Sequence, residues 1–354
     1  MPEILKKVKQ QEIINGLVQL GEIMRAVADE KPFQNFGTIS EQQYLQIQTT
    51  INRQIHFNGW FTKKSVQFSL LSHGEMLQHD TLTAFTSAYK FNETPKNVAV
   101  IMAGNLPLVG FHDFLCVLLS GNKITVKLSS DDQTLLPELV SLLITIDKRF
   151  GERIALAKSA LKDIDAVIAT GSDNTLKYFE EYFGKYPHIF RRNRTSIAVL
   201  DGTETKEELF ELGKDIFTYF GLGCRNVSHL LLPKNYVLDR FFEGIFEYSD
   251  IINHNKYVNN FDYNRAIHLL NQIPFFENGF LILKETNDLH SPLAMLHYHF
   301  YENQTDIERY LAENKENIQV VIGKNYVPFG QAQTPNISDF ADDVDTMLFL
   351  NSLI

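Results

Sequence analysis

Residues 97–111 of the chain read NVAVIMAGNLPLVGF, and a regular alternation of strands and helices begins here. Its first part, residues 98–102, is a short and continuously apolar run, which is typical of a strand buried on both faces of a parallel sheet. Residues 111–120 then predict a helix that ends at Gly121. Further strand-like runs follow, each separated from the next by a helical segment, at residues 124–127, 166–169 and 197–200. This alternation predicts a doubly wound parallel sheet in which all four runs take part.

The rest of the chain is arranged around this predicted sheet. Residues 4–29 have apolar positions at helical spacing, as an amphipathic helix or a helix pair. After Cys224, strand-like and helical segments alternate again, which predicts a second α/β domain. We therefore expect an N-terminal helical region packed on the first α/β domain, that domain itself, a second α/β domain and a C-terminal segment. Their bounds are residues 1–95, 96–220, 221–328 and 329–354.

The composition is that of a soluble globular protein, since 44% of the 354 residues are hydrophobic and 21% are charged. The formal net charge of −10 excludes nucleic acid as a main partner, because such a chain repels phosphate backbones. Two cysteines in a chain of this length indicate no disulfide framework and favour the reducing cytoplasm. The N-terminus lacks the apolar segment of a secretory signal, and the most apolar region, residues 98–121, contains polar residues that argue against a membrane span.

Three polar turns follow the predicted strands, at residues 103–107, 127–130 and 170–173. Open α/β sheets bind ligands beyond the carboxyl ends of their strands, so we expect these turns to lie together at one edge. A small polar turn that leads into a helix suits phosphate, which backbone N–H groups and the helix dipole attract. The sequence contains neither the glycine-rich dinucleotide fingerprint nor the Walker lysine motif, and ordinary connecting loops are the alternative.

Cys224 is the sharper candidate for chemistry. It follows Gly221 and Gly223, which allow backbone and substrate to approach closely, and it precedes Arg225. A nearby cation favours the thiolate, the form of cysteine that attacks carbonyl carbons. The alternative is a small buried residue in a turn that joins two domains. Cys116, by contrast, lies in an apolar helical run and is expected in the core.

Asn105 comes at the end of the first buried strand, just before Leu106 and Pro107. A side-chain amide at this place can donate a hydrogen bond to an oxyanion that develops during a reaction. The alternative is an asparagine that caps the following helix.

Two other groups of polar residues carry weaker signals. His297 and His299 share a face of a strand-like run, but the local sequence supplies no third ligand, so we predict no metal site. The acidic residues near the C-terminus are expected on a solvated turn or helix face; they are Asp339, Asp342, Asp343 and Asp345.

Four segments, in this order, resemble the aldehyde dehydrogenase superfamily and within it the bioluminescence-type (Lux-type) acyl-CoA reductases. They read NVAVIMAGNLPLVGF (97–111), SGNKITVKLSS (120–130), IATGSDNT (168–175) and FGLGCRNVSHLLLP (220–233). The tail, residues 327–353, is also similar to the Lux-type C-terminus. The resemblance covers roughly residues 95–354. It implies an aldehyde-dehydrogenase-like fold, with the doubly wound sheet binding a cofactor and the second α/β domain carrying catalysis.

The resemblance also implies roles for single residues. Cys224 corresponds to the catalytic nucleophile, and Asn105 to the asparagine of the oxyanion hole. Lys127 corresponds to the lysine that contacts the adenosine ribose, and Gly171 with Ser172 to the turn over the pyrophosphate. The full set of expected cofactor-binding residues is Met102, Ala103, Lys127, Ser129, Ser130, Thr170, Gly171 and Ser172.

The chain departs from the superfamily pattern in ways that bear on its chemistry. Residues 192–197 read RNRTSI and lack the glutamate that usually activates water, which favours thioester reduction over oxidation to a free acid. Ser130 replaces a ribose-binding glutamate and leaves room for a 2′-phosphate. Leu176 stands near the place of a second glycine in the pyrophosphate turn. The sequence before Asn97 shows no obvious room for the superfamily's oligomerising hairpin.

Together these features imply NAD(P)H-dependent reduction of a fatty acyl-CoA or acyl carrier protein thioester to the aldehyde. NADPH is the expected cofactor, with NADH as the alternative. A reductase of acyl phosphates, a CoA-acylating aldehyde dehydrogenase and a non-catalytic binding subunit on the same fold are alternative functions. By family analogy an acyl-transferase or synthetase is a candidate partner, and the resemblance leaves a homo-oligomer open. We expect a cytoplasmic enzyme without a metal.

Overall fold

The computed structural model of the chain describes residues 9–353, and these form two compact units. Unit 1 is Met1–Arg192 together with Asn336–Ile354, and unit 2 is Asn193–Pro335. Residues 4–8 of the predicted N-terminal helix lie outside the described residues. The roles expected from the sequence, cofactor binding by the first α/β domain and catalysis by the second, stay predictions.

Unit 1 combines a five-stranded parallel sheet with helices, within the part of the chain that the structure describes. Its strands are β1 (Asn97–Ile101), β2 (Lys123–Lys127), β3 (Ile154–Leu156), β4 (Ala166–Thr170) and β5 (His188–Arg191). Its helices are α1 (Gln10–Ala28), α2 (Glu41–Phe57), α3 (Lys63–Met76), α4 (His79–Ser87), α5 (Phe111–Leu119), α6 (Leu135–Ile146), α7 (Asp173–Phe183) and, from the C-terminal segment, α12 (Thr346–Asn351). The strands predicted at residues 98–102, 124–127 and 166–169 are confirmed as β1, β2 and β4.

The strand order of this sheet is β3-β2-β1-β4-β5. The chain passes from β1 to β2 and β3 on one side, and then returns to place β4 and β5 on the other side. The carboxyl ends of β1 and β4 therefore flank a topological switch point, where the loops of neighbouring strands separate and leave a crevice. The core of the unit is apolar on the strands and on α5, whose Phe114, Leu115, Val117 and Leu118 are fully buried.

Unit 2 contains a second sheet, with strand order β11-β6-β7-β10-β9-β8. Its strands are β6 (Thr195–Val199), β7 (Val227–Pro233), β8 (Phe276–Glu277), β9 (Ile282–Glu285), β10 (Met295–Tyr301) and β11 (Ile318–Ile322). Its helices are α8 (Lys206–Phe217), α9 (Leu238–Gly244), α10 (Asn255–Leu270) and α11 (Gln304–Asn314). The described pairs are parallel except β8 with β9, which is antiparallel.

The prediction that residues 197–200 belong to the first sheet is wrong, because β6 pairs with β7 and β11 in unit 2. All five residues of β6 are buried. A strand covered on both faces carries the same apolar pattern in either sheet, so its sequence cannot say which one it joins. The α/β fold class itself, with one doubly wound parallel sheet and a second α/β unit, is confirmed. Among the helices that lie within residues 9–353, none is long and apolar enough to cross a membrane.

Candidate active site

The turn after β1 brings two of the predicted site segments into contact. The Met102 N–H donates to the carbonyl oxygen of Lys127 at 3.0 Å, so the pairing of β1 with β2 continues beyond the strand. Gly104 then passes so close to the next turn that a Cβ at this position would lie 2.6 Å from Ser129 Oγ. Glycine therefore allows the turns after β1 and β2 to touch.

Asn105 follows Gly104 and has an exposed side chain. The alternative that Asn105 caps the next helix is wrong, because the N-cap of α5 is Gly110, whose φ of +86° is left-handed. The Met102 side chain is buried and reaches the same glycine, since a Cβ at Gly110 would lie 2.9 Å from Met102 Cγ. Met102 thus packs into the core with its side chain, while Ala103 and Asn105 lie at the edge of the sheet.

The turn after β2 contains the predicted ribose-binding residues. Lys127 is the last residue of β2, partly buried and paired with Ile101 of β1. Ser129 Oγ accepts a hydrogen bond from the Asp131 N–H at 3.2 Å, so its own proton can be donated elsewhere. Ser130 is exposed.

The turn after β4 leads directly into α7. Thr170 ends the strand, and a Cβ at Gly171 would lie 3.0 Å from side-chain atoms of Thr175 and Phe179, so strand and helix pack tightly here. Ser172 is the N-cap of α7, but its side chain makes no capping bond, and its Oγ lies 3.0 Å from Thr175 Oγ1. The N-terminus of this 11-residue helix therefore has no side-chain cap. Backbone N–H groups in its first turn suit an anion.

These three turns follow β2, β1 and β4, which are neighbours in the sheet. The structure thus brings the predicted residues of unit 1 to one sheet edge. They are Met102, Ala103, Asn105, Lys127, Ser129, Ser130, Thr170, Gly171 and Ser172. Leu176, which stands near the place of the family's second glycine, lies in α7 and is buried in a hydrophobic cluster that includes Val167 and Ala169 of β4.

Cys224 lies in unit 2, in the loop between a tight turn at Thr218–Gly221 and β7. The three residues Tyr219, Phe220 and Gly221 have φ values of +56°, +61° and +82°. The left-handed conformation costs non-glycine residues roughly 1–3 kcal/mol each and is concentrated at functional sites. The loop that carries Cys224 is therefore under strain and must be held by its surroundings.

Asn226 stabilises the loop that carries Cys224 through several hydrogen bonds of its side chain. Its side chain is buried, and its Oδ1 accepts the Gly223 N–H at 2.9 Å. Its Nδ2 lies 2.5–3.3 Å from three carbonyl oxygens at the end of α8, those of Asp215, Ile216 and Thr218. One amide thus joins the residue before Cys224 to the end of α8. The sequence analysis assigned no role to Asn226, because its partners come from a preceding helix.

The backbone of Cys224 is also held directly, since Ser196 Oγ donates to the Cys224 carbonyl oxygen at 3.0 Å. The Cys224 side chain is half-buried. Arg225 donates from Nε to the carbonyl oxygen of Ala332 at 2.6 Å. At least one donor of the guanidinium therefore serves the loop around Ala332, whereas the sequence suggested a role beside the thiol.

Asp215 is a buried acid near this loop that sequence reasoning missed. Its carboxylate accepts the N–H groups of Gly330 at 2.7 Å and Ala332 at 2.9 Å. Burial raises the pKa of Asp215 to about 6, although these two hydrogen bonds favour the charged form. Asp215 and Arg225 together fix the loop at residues 330–332 next to the Cys224 segment. No sequence motif distinguishes this aspartate from others on helix surfaces.

Cys116 contrasts with Cys224 in its surroundings. Its thiol is fully buried in α5, with Sγ 3.8 Å from His112 Nδ1. Burial raises the pKa of Cys116 well above the ordinary thiol value. The expectation that Cys116 is a core residue is confirmed.

His297 and His299 join a third histidine that the sequence analysis did not single out. His229 Nε2 lies 2.8 Å from His299 Nδ1, and the Nδ1 atoms of His229 and His297 lie 3.0 and 2.8 Å from the carbonyl oxygen of Asp288. Burial lowers the pKa of His229 to about 3. Within residues 9–353, no group of three or more His, Cys, Asp or Glu side chains could hold a metal ion. Four of the ring nitrogens, both of His229 and the Nδ1 atoms of His297 and His299, form hydrogen bonds inside unit 2.

Two of the acidic residues near the C-terminus, Asp339 and Asp345, accept hydrogen bonds in the structure. Asp339 accepts the Asn336 N–H at 2.7 Å, and Asp345 caps α12 through the Leu348 N–H at 2.9 Å. Asp345 also accepts the Tyr89 hydroxyl at 2.9 Å. They stabilise the C-terminal segment.

Comparison with known protein families gives a match over residues 42–237, more than half of the chain, to the family described as acyl-CoA reductase (LuxC). A region of 195 residues is 27% identical to the long-chain acyl-protein thioester reductase 2 of Photobacterium leiognathi, covering 49% of this chain and 40% of that protein. A region of 146 residues is 30% identical to the long-chain acyl-protein thioester reductase of Aliivibrio fischeri, covering 37% of this chain and 30% of that protein. The matched regions thus span less than half of either relative.

Solved structures with the same fold include three bacterial proteins. The indole-3-acetaldehyde dehydrogenase AldA of P. syringae, in complex with NAD⁺, aligns with a TM-score of 0.61 at 12% identity, covering 89% of this chain and 72% of that chain. HpcC from Thermus thermophilus aligns with a TM-score of 0.62 at 12% identity, covering 89% of this chain and 70% of that chain. The Mycobacterium tuberculosis aldehyde dehydrogenase, complexed with NAD⁺, aligns with a TM-score of 0.60 at 11% identity, covering 86% of this chain and 72% of that chain. At such low identity the likeness shows the fold, which is aldehyde-dehydrogenase-like.

Proposed function

Because the chain belongs to the acyl-CoA reductase (LuxC) family, we propose that it reduces a fatty acyl thioester to the aldehyde with NADPH as the reductant. The observation that carries this proposal is the half-buried thiol of Cys224 in its strained loop, inside the region that matches the family. The relatives from P. leiognathi and A. fischeri are named for long-chain acyl-protein thioesters, which supports a long acyl group on CoA or on a carrier protein.

Cys224 is the proposed nucleophile. Its thiolate forms a bond to the thioester carbonyl carbon, and the tetrahedral oxyanion then collapses with loss of the CoA or carrier thiolate, which takes up a proton. The Asn105 amide and the Cys224 backbone N–H are the proposed donors to that oxyanion. Asn226 and Ser196, which hold the backbone beside Cys224, support this role, because donors fixed before the reaction need no reorganisation during it.

The carboxyl edge of the first sheet fits a dinucleotide. Gly104 and Gly171 both lie where a Cβ would crowd a neighbouring segment, so glycine lets the turns that would bind the dinucleotide pack closely at this edge. The first turn of α7, next to Ser172, suits the pyrophosphate, and Lys127 and Ser129 suit the ribose. When bound, the nicotinamide supplies the hydride that reduces the thioacyl group on Cys224 to the aldehyde. Two of the structures compared above are complexes with NAD⁺, which supports this class of cofactor.

We favour NADPH because of Ser130. This residue is exposed in the turn after β2, where a carboxylate would bind the 2′-hydroxyl of NADH and repel a 2′-phosphate. NADH is the alternative. A Ser130→Glu variant should lower kcat/KM for NADPH by about tenfold, equivalent to about 1.4 kcal/mol, relative to NADH. An unchanged ratio would argue that Ser130 does not face the ribose.

The proposed product is an aldehyde because the chain lacks the usual base for hydrolysis. Residues 192–197 carry no carboxylate, and Thr195 in this stretch donates from its hydroxyl to Ser228 Oγ at 2.7 Å. Without a base that activates water, the thioacyl enzyme should survive until hydride arrives.

The compartment and partners follow from the same chemistry. Both cysteines are thiols, which suits the cytoplasm that we propose as the location. An acyl-transferase or synthetase that supplies the acyl group is the partner expected by family analogy, and a homo-oligomer stays an open alternative.

The deciding experiment measures NADPH consumption with long-chain acyl-CoA, acyl carrier protein and acyl phosphate. Cys224→Ala should lower the rate by on the order of a thousandfold or more, as expected for a nucleophile. Cys116→Ala is the matched control and should retain activity, since that thiol lies in the core. Equal rates for wild type and Cys224→Ala would remove Cys224 from the mechanism. Turnover of acyl phosphate alone would favour the alternative reductase, and no turnover of any substrate would favour a binding subunit.

A further inference from the structure

The Asn105 turn, residues 104–108, is held by the N-terminal helical region. Asn58, the residue that follows α2, donates from Nδ2 to the Gly104 carbonyl oxygen at 3.2 Å. The same Nδ2 lies 3.4 Å from the carbonyl oxygen of Asp131, in the turn after β2. Asn58 Oδ1 accepts the Trp60 N–H at 3.0 Å, which fixes the orientation of the amide. One side chain therefore ties together the two turns that follow β1 and β2.

Ser69 and Asp132 hold the other end of the Asn105 turn. Ser69 lies in α3, is fully buried and donates from Oγ to the Pro107 carbonyl oxygen at 2.8 Å. The next residue, Leu108, has a left-handed φ of +62°, and its N–H donates to Asp132 Oδ2 at 2.9 Å. A left-handed leucine is unfavourable by itself, so contacts from outside are needed to keep it there. Asn105 thus lies between anchors on both sides.

We propose that α2 and α3 belong to the catalytic apparatus, with Asn58 and Ser69 as positioning residues that fix the Asn105 amide. This inference rests on the proposed function, in which Asn105 donates to the oxyanion. A donor placed about 1 Å away from its productive position can cost about a hundredfold in rate, so small movements of the turn matter. The N-terminal helices, which the sequence analysis treated only as packing, acquire a chemical role.

Ser69→Ala tests the anchor on the Pro107 side. Ser120→Ala is the matched control, because Ser120 is also fully buried and also donates to a backbone carbonyl, that of Val117, at 2.8 Å. We expect Ser69→Ala to slow the acylation of Cys224, followed by rapid quench and mass spectrometry, at least about tenfold. The Kd for NADPH should change less than twofold. The proposal is overturned if Ser69→Ala and Ser120→Ala acylate at the same rate.

Asn58→Asp tests the other anchor with an isosteric, half-buried side chain. The new carboxylate would face the carbonyl oxygens of Gly104 and Asp131 and would lose both amide donors. Because Asn58 holds both turns, this variant should slow acylation and also raise the Kd for NADPH. An effect on neither quantity contradicts the proposal. Because Asn58 is only half-buried, whereas Ser69 is fully buried, this variant remains informative if Ser69→Ala does not fold.

Hydrogen exchange separates this inference from the proposed function. Exchange of the backbone N–H groups of residues 104, 105, 106 and 108 should become faster in both variants and stay unchanged in Ser120→Ala, whatever the enzyme does. If wild type forms no acyl-enzyme but the turn loosens in the variants, the proposed function fails while the two anchors stand. If wild type acylates and the exchange of the turn does not change, the positioning role fails while the proposed function stands.

Discussion

Arg191 and Asp113 form a buried bidentate ion pair, with Arg191 Nη2 2.7 Å from Asp113 Oδ1 and Nε 3.1 Å from Oδ2. Arg191 ends β5, and Asp113 lies in the first turn of α5. The guanidinium also donates to the carbonyl oxygen of Ala341 at 2.7 Å and to Thr346 Oγ1 at 2.8 Å. The pair thus attaches the C-terminal segment to the first sheet, which places that segment in unit 1 although it is last in the sequence.

Removing one partner of this pair should be costly. Asp113→Ala would leave a buried guanidinium without its carboxylate, and we expect a loss of about 3–5 kcal/mol in the free energy of unfolding. Urea unfolding monitored by circular dichroism measures it. Arg265→Ala is the control, because Arg265 pairs with Glu277 on the surface, and such pairs contribute little. A loss for Asp113→Ala no larger than that for Arg265→Ala would show that the buried pair does not stabilise the unit.

Gly104→Ala should impair cofactor binding. The added Cβ would meet Ser129 Oγ at 2.6 Å and Asp131 Cβ at 2.9 Å, so the turns after β1 and β2 would have to separate. We expect the Kd for NADPH, measured by titration of its fluorescence, to rise at least about tenfold, or about 1.4 kcal/mol.

Gly151→Ala provides the control for this prediction. An added Cβ there has only ordinary contacts, the nearest at 3.8 Å with Ile144, and the site lies outside the three turns. Its Kd for NADPH should equal that of wild type. Equal binding by Gly104→Ala would mean that the cofactor does not use this edge.

The layered fold could be predicted because the runs of β1, β2 and β4 are short, apolar and separated by helices. The position of β6 could not, because a fully buried strand has the same composition in either sheet. β3 and β5 escaped prediction because IAL has only three residues and HIFR has a basic residue at each end, so neither forms an apolar run of strand length. Local patterns thus report burial and periodicity, whereas strand order depends on contacts between distant segments.

The same limit applies to the candidate site. The three turns could be proposed as candidates because each follows a predicted strand, and Cys224 because glycines and Arg225 lie beside it. The residues that hold these segments could not, since Asn58 lies 46 positions from Gly104 and Ser69 lies 38 from Pro107. His229 and His299, 70 positions apart, meet only because β7 and β10 are paired. A single sequence contains no signal for such pairs.

Cys224 should react with iodoacetamide at pH 7 on the order of a hundredfold faster than Cys116, because alkylation requires an accessible thiolate. Cys116 is fully buried, and burial raises its pKa well above the ordinary value. Peptide mass spectrometry after short exposure measures both rates, and acyl-CoA should protect Cys224. In urea-unfolded protein the two thiols should react alike. Equal rates in the native protein would contradict the assignment of Cys224 as the reactive residue.

His229 should make the fold sensitive to acid. Its pKa is lowered to about 3, first by burial and then by the neighbouring His299, whereas in the unfolded chain an ordinary value of about 6.5 applies. The unfolded state therefore binds more protons between these values, so the contribution of His229 to stability is complete above pH 6.5 and decreases as pH falls towards 3. Each pH unit is worth about 1.4 kcal/mol, which gives a loss of about 2 kcal/mol at pH 5.

A His229→Gln variant isolates this effect, because other buried groups titrate in the same range. Burial raises the pKa values of Asp132 and Asp215 to about 6, and such raised carboxyls add stability as pH falls through that value. These contributions are common to both proteins and cancel when the variant is compared with wild type. The variant should be less stable than wild type at pH 7.5, and the difference in unfolding free energy should shrink by about 2 kcal/mol at pH 5. A difference that stays constant over this range would mean that His229 is not held neutral in the folded state.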